Sequence, residues 1–227
     1  PPIRWRGASL QQMSIKLYGV VISGNVNPIV ALCVENGIPH ELVATNPMAG
    51  ETKTDEFRKL NPMHCIPTLD DGGFTMWESK AILRYIANKH SLEAWYPSDT
   101  KQRAICDLAL DFHTNSFVPI VGSKIIYPAV GFGTATAEEV AEAEKKWKED
   151  VWPAFQHLNQ RLEGPFLGGS KPSIADLAFL GYLVMLFGKC PGSFAATTPG
   201  LKSYFDALKA ALPKYNEYMG PAEGFWK

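Results

Sequence analysis

The sequence has no excess of either charge and no apolar run of membrane-spanning length. Its 227 residues include 22 Lys and Arg against 23 Asp and Glu, which gives a net charge of -1. No basic field is therefore present to attract nucleic acid or an anionic lipid surface. The longest apolar runs, such as residues 177–187, fall short of the roughly 20 residues that cross a bilayer. We expect neither nucleic acid nor a membrane as a partner.

Cysteine is scarce and widely spaced. Cys33, Cys65, Cys106 and Cys190 form no C-x-x-C pair and no Cys/His cluster of metal-binding spacing. We therefore predict no metal site. Reduced, mostly structural thiols are expected instead, which suits the cytoplasm.

The length predicts two modest domains, because one domain usually has about 100 to 150 residues. Residues 1–12 lack the apolar core of a signal peptide, and Met13 stands directly before a strand-like run. Periodicity stops around Pro97, Ser98 and Asp99, as in a linker. The predicted ranges are 1–12 for an N-terminal extension, 13–90 for the first domain, 91–100 for the linker and 101–227 for the second domain.

The first domain alternates short strands and helices. The predicted elements are strand Ile15–Gly19, helix 29–36, strand His40–Ala44, helix Asp55–Leu60, strands 66–70 and Phe74–Trp77, and helix 78–89. The last two strands are separated by Asp71, Gly72 and Gly73, a turn typical of a hairpin. This βαβαββα order predicts an α/β domain with a thioredoxin-like fold.

The second domain is predicted to be all helical. Residues 101–126 and 135–162 carry apolar residues at three- and four-residue spacing. Pro119 and Pro153 are expected to kink these helices, because proline lacks the N–H that a helix needs. Residues 173–176 precede an apolar run and have the pattern of a capping box.

Three short segments of the first domain place polar residues at the ends of strands. Ser23 follows the first strand, where it is either a helix cap or a donor to a bound thiolate. Pro67 enters the third strand, and a cis Ile66–Pro67 bond would free the Ile66 backbone for an extended peptide. A trans bond would be an ordinary surface turn. Glu78 and Ser79 open a helix, either as caps or as a site for an α-amino acid end.

Together these segments resemble the cytosolic glutathione transferases, especially the serine-type delta, theta and phi classes. The motifs are L-Y-G-x-x-x-S at 17–23, N-P-M-H-C-I-P-T-L at 61–69 and W-E-S-K-A-I at 77–82. Each is weak alone, but all three occur in the family's order and spacing. The resemblance covers the chain from about Ile15 to the C-terminus, with looser support in the helical half.

The resemblance implies a role for each of these positions. Ser23 corresponds to the catalytic serine. Pro67 corresponds to a cis-proline beside Ile66, whose backbone pairs with the cysteinyl part of glutathione. Glu78 and Ser79 correspond to the residues that bind the γ-glutamyl end.

The glycine end of glutathione has less complete support. Lys53 and His64 match residues that reach this carboxylate in phi and delta enzymes, although a solvated loop histidine is an alternative for His64. Thr52 and Cys65 replace the family's usual histidine and its glutamine or threonine. Pro28 stands where arginine is usual on the first helix, which puts the position of the catalytic serine in doubt.

In this family the electrophile binds between the two domains. Four residues of the first long helix are spaced to share one face, namely Phe112, Ser116, Phe117 and Ile120. Phe112 and Phe117 are the candidates among them. Phe132 and Trp226 are further possibilities. Core packing is the alternative for each, since aromatic residues at helical spacing usually face inward.

The resemblance implies an enzyme that conjugates glutathione to small apolar electrophiles in detoxification, as a cytoplasmic homodimer. Glutathione is a co-substrate, so no cofactor is implied. A glutathione-dependent peroxidase or isomerase, and a non-catalytic binding relative, remain alternatives. Serine at position 23 argues against disulfide reduction, because only a thiol forms a mixed disulfide with glutathione.

Overall fold

The computed structural model describes residues 15–160, 164–190, 198 and 200–226. The predicted extension 1–12 and the last two residues of the helix predicted over 135–162 lie outside these ranges. Among the helices so described, none is long and apolar enough to cross a membrane.

A four-stranded mixed sheet forms the centre of the first domain. Its strands are β1 (Ile15–Gly19), β2 (His40–Ala44), β3 (Thr68–Asp71) and β4 (Phe74–Trp77). The order is β2-β1-β3-β4, with β1 and β2 parallel and the other pairs antiparallel. β3 begins after Pro67, two residues later than predicted, because proline has no N–H for the ladder.

Three α-helices complete this domain: α1 (Asn27–Glu35), α2 (Asp55–Leu60) and α3 (Ser79–Lys89). Two short 3-10 helices, Pro47–Ala49 and Glu51–Lys53, lie between β2 and α2. Gly37 ends the first helix in the left-handed region, at φ 63°, as its position predicts. The predicted thioredoxin-like arrangement is confirmed.

The rest of the described chain is helical, as predicted. The helices are α4 (Thr100–Phe112), the π-helical segment His113–Ile126, α5 (Tyr127–Ala129), α6 (Ala137–Lys146), the π-helical segment Trp147–Val151, α7 (Trp152–Gln160), α8 (Ile174–Lys189), α9 (Leu201–Ala210) and α10 (Tyr215–Trp226).

Both helix-interrupting prolines coincide with wide helical turns. Pro119 lies inside the first π-helical segment, and Pro153 follows the second directly after Trp152. A wider turn accommodates a residue that lacks an N–H and crowds the preceding turn. The two long helices therefore continue as mixed helical segments past their prolines.

α8 is the central helix of the molecule. Its residues from Ile174 to Leu186 are buried, and it packs against α4, α10 and also α1 of the first domain. A helix that is apolar all round is expected in such a core position. One face of the sheet domain is thus covered by the same helix that organises the helical domain.

The predicted capping box at the start of α8 is confirmed. The Ser173 hydroxyl accepts a hydrogen bond from the Ala175 N–H at 3.2 Å, and the Asp176 carboxylate accepts from the Ser173 N–H at 2.7 Å. Asp176 also accepts from the Leu167 N–H at 2.8 Å and the Tyr204 hydroxyl at 2.7 Å. The capping carboxylate thereby joins α8 to the preceding loop and to α9.

Candidate active site

The sheet register brings the three predicted motif segments to one edge. Tyr18 of β1 lies opposite Thr68 of β3, and Thr68 lies opposite Trp77 of β4. The chain therefore leaves β1, enters β3 and leaves β4 at the same end of three neighbouring strands. Ser23 comes shortly after β1, Pro67 directly before β3, and the start of α3 shortly after β4.

Ser23 lies in a tight turn between β1 and α1. Its carbonyl oxygen accepts from the N–H groups of Val26 at 3.1 Å and Asn27 at 3.0 Å. α1 begins at Asn27, and its N-terminus has no side-chain cap. Among the described residues, the Ser23 hydroxyl takes part in one hydrogen bond, a long one of 3.4 Å that it accepts from the Asn25 N–H. The hydroxyl proton is therefore free to donate to a bound group.

The loop before β3 has the conformation that the site requires. The Ile66–Pro67 peptide bond is cis, which is the first of the two predicted alternatives. Buried Asn61 fixes the loop, because its Nδ2 donates to the Cys65 carbonyl at 3.0 Å and to the Thr68 hydroxyl at 2.8 Å. Among the described residues, no backbone group pairs with the N–H or C=O of Ile66.

Glu78 does not cap α3 with its side chain. Its backbone lies in the left-handed region, at φ 70°, a conformation that costs a non-glycine residue about 1–3 kcal/mol and is typical of functional sites. The side chain is exposed, while Ser79, the first residue of α3, is buried. An exposed carboxylate thus stands beside the N–H groups of a helix N-terminus.

Lys53 and His64 lie on the segments that precede α2 and β3, respectively. Lys53 ends the second 3-10 helix, and His64 has φ 42° in the loop before Ile66. Both side chains are exposed, and neither lines the cavity beside Ser23. Thr52, the predicted departure from the family pattern, is buried.

A cavity of about 310 Å³ opens beside Ser23. It is mostly apolar, and it brings Ser23 and Ile66 together. Its other lining residues are Val20, Ile22, Gly24, Asn25, Asn46, Pro47, Met48, Tyr127, Phe132 and Met185. Residues of both domains therefore enclose it, as the family resemblance predicts.

The structure does not bring Phe112 and Phe117 to this cavity. Phe117 is fully buried in an aromatic cluster, with ring centroids 5.0 Å from Phe179 and 5.8 Å from Trp147. Phe112 is half-buried beside α7, where it lines a separate small pocket with Leu158. Phe117 lies in the core and Phe112 packs against it, which is the alternative expected for aromatic residues at helical spacing. The π-helical turns also displace the residues after Phe112 from a regular helical face.

Two aromatic residues further along the chain line this cavity. Tyr127 and Phe132 line the cavity, whereas Trp226 is buried behind it. The Trp226 ring packs edge-on against Phe132 at 6.3 Å, and its Nε1 donates to the Ile22 carbonyl at 3.3 Å.

Asn25 is a site residue that the sequence did not reveal. Its Oδ1 accepts from Lys80 Nζ at 3.1 Å, from the Ser79 hydroxyl at 3.4 Å and from the Tyr182 hydroxyl at 3.4 Å. The Tyr182 hydroxyl also lies 2.5 Å from that of Tyr127. The partners are between 54 and 157 residues distant in sequence, so no local pattern predicts the cluster.

Two basic groups of this region are shifted towards their neutral forms. Burial lowers the pKa of Lys80 to about 7, although the nearby Glu78 carboxylate opposes the change. Burial also holds the pKa of His113 well below its usual value, and the charge of Lys80 lowers it further. His113 packs against the Tyr182 ring at 5.0 Å and is therefore a neutral core residue.

The turn that carries Ser23 contacts α8 backbone to backbone. A Cβ at Gly181 would lie 2.5 Å from the carbonyl oxygen of Gly24, and a Cβ at Gly24 would lie 2.6 Å from Cε of Met185. Only glycine permits this approach. Gly181 therefore sets the distance between the turn that carries Ser23 and the helical domain.

We predict that Gly181→Ala destabilises the protein by about 1–2 kcal/mol, because overpacking against backbone exceeds the roughly 1 kcal/mol gained in helix propensity. The matched control is Gly220→Ala in α10, where a Cβ meets nothing within 4 Å. This control is expected to gain up to about 1 kcal/mol. Urea unfolding of both variants measures the difference, and equal stabilities would contradict the close contact.

The four cysteines form no disulfide: Cys33 and Cys106 are buried, Cys190 is half-buried and Cys65 is exposed. Burial raises the pKa of Cys33 and of Cys106 to about 12, so these two are inert packing residues. Cys65 is exposed and lies directly before Ile66.

Comparisons with known proteins cover both halves of the chain. The family model described as glutathione S-transferase, N-terminal domain, matches residues 13–88, and that described as glutathione S-transferase, C-terminal domain, matches residues 126–221. Glutathione S-transferase 1 of Zea mays is 30% identical over 216 residues, which cover 92% of this chain and 98% of the maize chain. Glutathione S-transferase D7 of Anopheles gambiae is 34% identical over 155 residues, 64% of this chain and 71% of that one.

Solved structures agree with these matches. A delta-class glutathione transferase of Nilaparvata lugens has a TM-score of 0.79 and 28% identity, covering 93% of this chain and 96% of its own. Human glutathione transferase theta-2, in a complex with glutathione and an unknown ligand, has a TM-score of 0.76 and 26% identity, covering 94% and 89%. Because the sheet domain and the helical domain each match, in this order and over most of the chain, the protein belongs to the glutathione S-transferase family.

Proposed function

We propose that this transferase binds glutathione in an extended form across the edge of the sheet and stabilises its thiolate through the Ser23 hydroxyl. The thiolate then attacks a small apolar electrophile held in the adjoining cavity. The observation that carries the proposal is the juxtaposition of a free serine hydroxyl and the unpaired Ile66 backbone on one apolar cavity. The human theta-2 relative, whose structure contains glutathione, supports the choice of ligand.

Each part of glutathione has a chemically matching group. The γ-glutamyl carboxylate would bind at the N-terminus of α3 beside Ser79, where helix N–H groups and the helix dipole favour an anion. Its ammonium would pair with the exposed Glu78 carboxylate. The cysteinyl backbone would pair with the N–H and C=O of Ile66, as an added strand does at a sheet edge. Lys53 and His64 are proposed for the glycine carboxylate.

The thiol lies next to Ser23 in this arrangement. Its proton leaves to solvent, and the thiolate accepts a hydrogen bond from the Ser23 hydroxyl. The sulfur then forms a bond to the electrophilic carbon while the leaving group departs with the electron pair of the broken bond. The serine acts as a donor that stabilises and positions the nucleophile, so it needs no partner base.

The apolar side of the cavity defines the class of electrophile. Tyr127, Phe132 and Met185 offer carbon and sulfur surfaces, and Met48 is exposed at the rim. A volume of about 310 Å³ lies at the lower end for small-molecule sites. We therefore propose small apolar or aromatic electrophiles, and this surface replaces Phe112 and Phe117 in that role.

Glu78→Ala tests the glutathione site. The variant is expected to bind glutathione about 10- to 150-fold more weakly, because a charge-assisted hydrogen bond is worth about 1.5–3 kcal/mol. Calorimetry measures the affinity directly. The control is Glu93→Ala, which removes an exposed acid of the segment after α3 and is expected to leave the affinity unchanged. If Glu78→Ala binds as tightly as wild type, glutathione does not occupy this edge of the sheet.

Phe132→Ala and Phe117→Ala separate the electrophile site from the core. Phe132→Ala is expected to change the relative rates for a panel of halogenated aromatics, enones and hydroperoxides, and to leave glutathione affinity within about threefold. Phe117→Ala is expected to lower the free energy of unfolding by about 3–5 kcal/mol and to leave selectivity alone. If Phe117→Ala changes the selectivity among electrophiles and Phe132→Ala does not, the electrophile site lies beside α4 and the segment after it.

We also propose, from the family resemblance, that the enzyme is a homodimer that acts in the cytoplasm. Unpaired cysteines at all four positions are consistent with a reducing compartment. Light scattering coupled to gel filtration is expected to give twice the mass of one chain, and a monomer mass at micromolar concentration would overturn the dimer.

A further inference from the structure

The amide of Asn25 is held in one orientation by donors from two domains. Its Oδ1 accepts from Lys80 and Ser79 of α3 and from Tyr182 of α8, at 3.1 to 3.4 Å. Lys80 makes the shortest of these hydrogen bonds, and its Nζ carries N–H donors in both its charged and its neutral form. The oxygen of the Asn25 amide must therefore face α3, and its NH₂ group must point the other way.

Asn25 lines the cavity together with Ser23 and Gly24. The Asn25 amide also hydrogen-bonds the hydroxyl of Tyr127, a residue that lines the same cavity. Its NH₂ group thus lies at the cavity wall and two residues from Ser23, whose hydroxyl oxygen accepts from the Asn25 N–H at 3.4 Å.

An anion in the cavity beside Ser23 would attract both the Ser23 hydroxyl and the Asn25 NH₂ group. The amide carries two N–H bonds, of which the Tyr127 hydroxyl can accept one, and the O–H bond of Ser23 has no accepting partner among the described residues. Apolar walls surround them, and an apolar environment strengthens a hydrogen bond to a charged acceptor. Preorganised donors aimed at one point cost no reorganisation when the charge develops.

We propose that Asn25 donates a second hydrogen bond, from Nδ2, to the glutathione thiolate, and that Lys80 is the positioning residue that orients the amide. This inference rests on the proposed function, since it requires glutathione with its sulfur beside Ser23. The proposal has two donors, Ser23 and Asn25, stabilise the thiolate, whereas the family resemblance implies Ser23 alone.

Two substitutions at Asn25 test the proposed donor, and each removes a different set of interactions. Asn25→Asp keeps an acceptor oxygen for Lys80, Ser79 and Tyr182 but replaces the NH₂ donor by a charged oxygen. Asn25→Ala removes donor and acceptor together. The control is Asn36→Ala, because Asn36 only donates to the Leu32 carbonyl at the end of α1.

The measured quantity is the pKa of the bound glutathione thiol, followed by the ultraviolet absorbance of the thiolate in each folded complex. Asn25→Ala is expected to raise this pKa by about one, as for the loss of one hydrogen bond to an anion. Asn25→Asp is expected to raise it further through repulsion between two negative charges, and Asn36→Ala to leave it unchanged. If Asn25→Ala does not fold, Lys80→Met carries the test and is expected to raise the pKa in the same direction.

The outcomes separate this inference from the proposed function. A raised thiol pKa in the Asn25 or Lys80 variants, with glutathione still bound, supports the second donor. A wild-type pKa in Asn25→Ala, or in Lys80→Met where that variant replaces it, overturns the second donor and leaves the role of Ser23 intact. Failure of wild-type protein to bind glutathione would overturn the proposed function itself.

Discussion

Ser23→Ala is expected to slow conjugation at pH 7 by about ten- to a thousandfold and to leave glutathione affinity nearly unchanged. Losing a hydrogen bond to a charged group should raise the pKa of the bound thiol by about one to two. In the proposed complex the affinity is set by Glu78, Ser79 and Ile66, which the substitution does not change. Steady-state kinetics with a halogenated aromatic electrophile, together with calorimetry for glutathione, measures both quantities.

The expected size of this effect depends on more than ionisation. A thiol with a pKa of about 8.5 is about 3% ionised at pH 7, and lowering the pKa by two raises this to about 76%. Nucleophilicity falls with basicity at a slope of about 0.4–0.5, so about six- to tenfold of that gain is lost. The larger part must come from fixing the sulfur against the electrophile. If Ser23→Ala conjugates at an unchanged rate, another donor, such as Tyr18 or Asn25, activates the glutathione thiol.

Asp176→Ala is expected to lower the free energy of unfolding by at least about 3 kcal/mol, because each buried donor left unpaired costs about 1–3 kcal/mol. The carboxylate is fully buried and accepts from Ser173, Leu167 and Tyr204. It therefore holds the start of the central helix, the loop before it and α9 in one arrangement.

Urea unfolding measures this loss, with Asp206→Ala as the control. Asp206 is half exposed and pairs only with Lys202 one turn earlier in the same helix, so its removal is expected to change stability by less than about 0.5 kcal/mol. If the two variants unfold at the same urea concentration, the hydrogen-bond cluster at the start of α8 is not a principal source of stability.

The regular elements could be predicted closely because their signals are local. Strand alternation and turn residues such as Gly37, Gly72 and Gly73 determine where the chain changes direction. The bounds of β1, β2, α2 and β4 match the predicted ranges. The cap at Ser173 was also predictable, because both partners lie within one helical turn.

The contents of the cavity could not be predicted in the same way. Helical spacing placed Phe112 and Phe117 on one face, but it does not say whether that face meets a cavity or the core. The π-helical turns that follow Phe112 also change which residues share a face. Tyr127 and Phe132 reach the cavity from beyond this segment. Phe132 is one of the further possibilities that the family resemblance suggests, whereas nothing in the immediate sequence indicates Tyr127.

The cluster around Asn25 depends on tertiary contacts. Lys80 stands inside the W-E-S-K-A-I motif, yet its partner Asn25 lies 55 residues earlier, and only the sheet register brings the two together. The close approach of Gly24 to Gly181 has the same origin. Local sequence therefore predicts the backbone of the site, and the packing of α8 against the first domain determines which side chains complete it.

The most direct test of thiolate stabilisation is a titration of glutathione bound to the wild-type enzyme, followed by thiolate ultraviolet absorbance. The complex with S-methylglutathione, which has no ionisable thiol, supplies the tyrosine background. We predict a bound-thiol pKa of about 6.5, two below the ordinary value of about 8.5. A bound thiol that titrates at the ordinary value would contradict the proposal that Ser23 and its neighbours activate glutathione.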